Sequence, residues 1–154
     1  VEEHDVKDYD LAAKSKLIEE ILHDKGKHTY VFYGSDQDIL FSLSLKSIDA
    51  MKALHPTRGI SYIDLDVSIL HTLLLEKLLG IGEKQLANQE NLEYTHSIED
   101  GVQEVDEGRQ EMTLFISPTS IRQIQEVSLA NEKMPQKSTY FYPKLLTGLV
   151  FNKF

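Results

Sequence analysis

Apolar positions along this chain change period several times, and each change marks an element. Leu11, Ile18, Ile21 and Leu22 recur at helical spacing behind Asp8 or Asp10, either of which can cap, and Gly26 is a stop signal. That pattern predicts an amphipathic helix running to about Asp24. Two β-rich runs follow, Tyr30-Val31-Phe32-Tyr33 and Ile39 to Leu45, joined by Gly34-Ser35-Asp36-Gln37-Asp38, whose composition is that of a hairpin loop. Phe41, Leu43 and Leu45 alternate with serines, which predicts a second strand with its apolar face buried and its serine face wet. Ser47 to Leu54 has the length of a short helix, ended by His55-Pro56 because the residue before a proline is pushed out of the helical region.

From Asp64 or Asp66 to Leu79, leucines and other apolar residues nearly encircle a predicted helix that stops at Gly80, the pattern of a central helix packed on several sides. Leu92-Glu93-Tyr94-Thr95 reads as a strand leading to Ser97, a cap for a helix from Ile98 with Glu99 and Asp100 in its favourable first turn. Met112 to Ile116 reads as another strand. Ser117-Pro118 has the order of a cap followed by a proline at the first helical position, opening a helix that carries Ile121, Ile124, Val127 and Leu129. Thr139 to Tyr142 and Leu149 to Phe151 look extended. The expected order is α-ββ-α-α-β-α-β-α-β with no internal repeat. It describes an α+β two-layer sandwich over residues 1–154 as a single domain, its mostly antiparallel sheet covered by helices on one face.

Composition narrows the class. At 154 residues the chain can bury roughly 70% of the surface its unfolded form exposes. Its 41% hydrophobic and 27% charged content is ordinary for a soluble globular domain, and no apolar run approaches the ~20 residues of a membrane span. The net charge of −9 opposes binding to a phosphate backbone, so nucleic acid is not an expected partner. The absence of cysteine rules out disulfides, thiol nucleophiles and thiolate metal sites, in keeping with an expected cytoplasmic location. Val1-Glu2-Glu3-His4-Asp5 has neither an initiator methionine nor the order of a secretion signal, so the chain is expected to be the C-terminal piece of a longer protein.

The charge is unevenly placed. From Lys133 to Phe154 there are four lysines and no acid, while the first 132 residues carry 12 basic and 25 acidic side chains. Lys133, Lys137 and Lys144 with Ser138, Thr139 and Thr147 form an acid-free set of donors suited to a phosphate or carboxylate, stiffened by Pro135 and Pro143. The competing reading is a final strand whose lysines are solvated and whose aromatics pack inward, since alternation would place only half the donors on one side.

A second candidate is His71. Asp64, Ser68 and His71 fall on one stripe of the predicted helix, an acid, a hydroxyl and an imidazole at spacings of four and three. General acid-base work is one use of such a set; a hydrogen-bonded structural imidazole and a capping aspartate are the commoner one. The other histidines lack paired ligand spacing, no Asp-rich calcium loop occurs, and no metal site is expected. Gly80-Ile81-Gly82 follows a helix and does not join strand to helix, so it is no phosphate loop. Glu99, Asp100, Glu104, Asp106 and Glu107 read as a solvated helix face.

The run Lys133-Met134-Pro135-Gln136-Lys137-Ser138-Thr139-Tyr140-Phe141-Tyr142-Pro143-Lys144-Leu145-Leu146-Thr147-Gly148-Leu149-Val150 resembles the closing signature of the domain of unknown function (DUF) family 1015. Leu65-Asp66-Val67-Ser68-Ile69-Leu70-His71, leading to Leu79-Gly80-Ile81, and Leu92-Glu93-Tyr94 are similar to the same family, so the resemblance spans about Tyr62 to the C-terminus. Members of that family are longer, and their upstream part resembles the partition-protein and free-serine-kinase group with an Asp-Gly-His-His-Arg-like motif that this chain lacks. The resemblance implies a companion domain, not expected to catalyse alone, whose partner is its own missing N-terminal domain, a nucleotide being a cofactor of the full-length protein only. A homo-oligomer and a phosphotransfer or phosphatase site shared with the upstream half are the alternatives it leaves open. The family's own function is unassigned.

Overall fold

A computed structural model describes residues 1–35, 38–88 and 92–139. Four strands, β1 (Glu2–Asp5), β2 (Thr29–Gly34), β3 (Ile39–Ser44) and β4 (Met112–Ile116), form one sheet in the order β1-β3-β2-β4. Every neighbouring pair is antiparallel. Helix α1 (Leu11–Asp24) starts where Asp10 accepts the amide of Ala13 at 2.8 Å, which satisfies a donor the first turn would otherwise leave open. Together with α6 (Ile98–Asp106) it covers one face of the sheet in an α+β fold, but helices pack on part of the other face as well, so the expected single helical layer is not what forms. Ile18, Val31, Leu40 and Val102 are fully buried between the layers, and truncating one such aliphatic side chain to alanine typically costs about 2–5 kcal/mol.

The opposite face is covered along one end. Tyr30 of β2, Leu43 of β3, and Leu114 and Ile116 of β4 meet a second apolar cluster built on Met51, Ile63, Ile69, Leu70, Leu75 and Leu86. These come from α2 (Asp49–Leu54), α3 (Ile60–Ile63), α4 (Asp66–Ile69), the helix that continues it, and α5 (Glu83–Asn88). At the other end of that face Phe32 and Phe41 remain half-buried against each other, ring centroids 6.0 Å apart. Helix α7 (Ile121–Leu129), the last described element, packs Val127 against Leu65 and Val67.

Several expectations change. Ser42 on β3 is buried although Ser44 is exposed, its hydroxyl in contact with His4 Nε2 at 3.0 Å and accepting Lys25 Nζ at 2.8 Å. At that one position hydrogen bonding overrides the apolar/polar alternation, because a buried hydroxyl is tolerated once it has partners. Leu92 to Thr95 is not a strand; Ser97 beyond it does cap α6 by accepting the amide of Asp100 at 3.1 Å. The cap of α7 is Ser120, not Ser117. Ser120 and Gln123 make a reciprocal capping box, with Ser120 N donating to Gln123 Oε1 at 2.8 Å and Gln123 N to Ser120 Oγ at 3.2 Å, and two satisfied donors outweigh a proline at the first position.

The long leucine-rich helix starts at Asp66, the second of the two expected positions, and runs unbroken to Leu78, but its winding changes along the way. Asp64 ends α3, Leu65 is extended, α4 begins at Asp66, and from Leu70 to Leu78 the chain widens into a π-helix before stopping at Gly80, whose φ of +72° suits only glycine readily. Strand β1 has no apolar pattern and is formed by pairing alone. Thr139 carries no strand, and residues 140–142 and 149–151 lie outside the described residues.

Gly101 sets the spacing between α6 and β4. A Cβ there would stand 2.8 Å from a ring carbon of Phe115 and 3.1 Å from Thr113 Cγ2. Gly101→Ala is expected to lose about 1–2 kcal/mol net, the strain of overpacking exceeding a gain of about 1 kcal/mol in helix propensity. Urea unfolding checks it: the midpoint should fall with an unchanged slope.

Candidate functional site

The polar groups that converge in this fold come from segments far apart in sequence. His28 lies at the start of β2 with φ +60°, a left-handed conformation that side chains rarely adopt. Its amide donates to Asp66 Oδ1 at 2.9 Å, its Nδ1 faces the same oxygen at 2.7 Å, and its Nε2 faces Asp64 Oδ1 at 3.1 Å. Lys27 Nζ donates to Asp64 Oδ2 at 2.9 Å, and the Tyr30 hydroxyl donates to the carbonyl of Asp66 at 3.0 Å. The hydrogen bond it donates to Asp64, with that carboxylate's charge, raises the proton affinity of the Lys27 amine above its ordinary value. Burial, aided by the charge of Asp66, pushes the Tyr30 phenol well up.

Beside this junction, between α3 and α7, is a cleft of about 240 Å³ lined by Lys27, Ser61, Asp64, Gln123 and Glu126 among others. An imidazole paired with a carboxylate is the geometry a general base uses. Here the second ring nitrogen is turned to Asp64, so neither nitrogen is open to a substrate, and the arrangement works as a clamp.

A second polar cluster ties α1 to α6. Lys14 Nζ donates to the Tyr33 hydroxyl at 2.7 Å and to the Asp106 carboxylate at 2.7 and 2.9 Å. Burial alone would lower the proton affinity of Lys14, but the hydrogen bonds to Asp106 and Tyr33 overcome it and leave it raised. Burial and then the bond to Asp106 raise Tyr33. The ammonium and the phenol both keep their protons, which suits an internal strut and no proton transfer near neutral pH.

The stripe of Asp64, Ser68 and His71 is not assembled as a unit. Asp64 terminates α3 and is engaged by Lys27 and His28. Ser68 is 1% exposed and its hydroxyl has no partner among the described residues. His71 is half-buried on the π-helix with no hydrogen bond to a described residue, and burial lowers its proton affinity.

In the basic segment, Lys133 and Thr139 are exposed, and Lys137 is left-handed with its amine 6.0 Å from the Tyr94 ring. The Ser138 hydroxyl donates to the carbonyl of Pro135 at 2.7 Å, so its hydrogen is committed locally. Lys144 and Thr147 lie outside the described residues. Among the described residues no group of three or more His, Cys, Asp or Glu could hold a metal, and no helix is long and apolar enough to cross a membrane.

His28, Lys27 and Asp66 escaped the sequence reading because the clamp joins positions 36 to 38 residues apart. The only local signal was the pair of acids at 64 and 66. Compared with known protein families, curated proteins and solved structures, the chain matches none.

Asp66→Ala is expected to cost about 1–3 kcal/mol, since it leaves the His28 amide unsatisfied, whereas Asp64→Ala should cost under about 1 kcal/mol at its more exposed place. Denaturant titration of the two variants ranks them. His71 predicts a pH dependence: its folded form holds a proton less tightly than the unfolded chain, so its contribution is intact above the ordinary imidazole range and is lost as pH falls through and below it. His71→Leu should flatten that acid-side slope in thermal unfolding.

Proposed function

We propose that this domain is the C-terminal companion of a DUF family 1015-like protein: it contributes interdomain contacts and, from Lys133 to Thr147, an anion-binding wall, while the chemistry belongs to the upstream half. The reading rests on one observation above others. On α3 and α7, which pack together just ahead of the basic segment, Ile60, Ile121 and Leu129 are 60%, 72% and 87% exposed. Large aliphatic side chains grouped on adjoining helices are what a surface buried against further protein looks like, although single exposed ones are ordinary. The longer members of the resembling family supply the partner in this reading. Lys133 and Thr139 stand in solvent just beyond, and the acid-free composition of 133–154 favours a negatively charged ligand there.

The polar clusters support the same division of labour. The imidazole of His28 is enclosed by two carboxylates and the amine of Lys14 by Asp106 and Tyr33, so both are spent on holding helices to the sheet.

Two measurements test this. Ile121→Asp with Leu129→Asp should leave the unfolding free energy of this domain within about 0.5 kcal/mol, as surface changes do, yet abolish its association with the separately expressed upstream half in sedimentation. Equal association by the variant would sink the docking role. Lys137→Gln with Lys144→Gln in the full-length protein should weaken phosphate or carboxylate binding by about tenfold or more, each lost charge-assisted bond being worth about 1.5–3 kcal/mol; unchanged affinity removes the anion wall.

A further inference from the structure

We draw no further inference here: the strongest candidate, the outer edge of β4, where Met112 to Ile116 pair with β2 on one side and with no described strand on the other, is an unpartnered apolar strand edge, and nothing among the described residues shows what covers it.

Discussion

Asp66 stands in the first turn of α4 with its carboxylate on the amide and ring of His28 and its carbonyl on the hydroxyl of Tyr30. One residue thus fixes the place where the helical half of the molecule meets the end of the sheet. The conformation of His28 depends on it: a left-handed non-glycine residue persists only where its surroundings over-determine it, and here three contacts do so. With His28 held, its carbonyl accepts the amide of Leu45 and the hairpin of β2 and β3 enters the core in register.

Two apolar clusters share the sheet, and polar contacts link the elements that build them. On the α1 side, Lys14 crosses from α1 to α6 and β2; on the other, Lys27 and His28 reach from the start of β2 to the α3–α4 turn. Neither pair is a strong source of stability, since loss of hydration nearly cancels the attraction for Lys14 and Asp106 and water screens the more exposed Lys27 and Asp64. Their value is in geometry. A helix held only by aliphatic contacts can slide, whereas an ammonium bound to a phenol and both oxygens of a carboxylate has one arrangement that satisfies it.

Much of this architecture was legible in the sequence. Helix α1, strands β2, β3 and β4, the Ser97 cap and the Gly80 stop all follow from local periodicity or from residues with a single conformational use. What could not be read was whatever depends on a distant partner. Strand β1 is Glu-Glu-His-Asp and forms because β3 offers an edge. The burial of Ser42 needs His4 and Lys25. Ser120 wins over Ser117 through the side chain of Gln123, a signal that was local and was missed. The candidate sites divide the same way: the helical stripe of Asp64, Ser68 and His71 assumed one uninterrupted helix, which the extended Leu65 breaks, while the clamp around His28 joins segments that no spacing rule connects.

The π-helix from Leu70 to Leu78 gives the chain an unusual tolerance at its centre. Each hydrogen-bonded loop in it takes up one residue more than an α-helix would, as in the bond from Leu79 N to Leu74 O. Where α geometry would make every added or lost residue rotate all that follows, a helix already wound at the looser pitch has slack to tighten. Variation in length between the Asp66 anchor and the Gly80 turn can thus be absorbed inside the helix, without disturbing the clamp at one end or the chain's direction at the other.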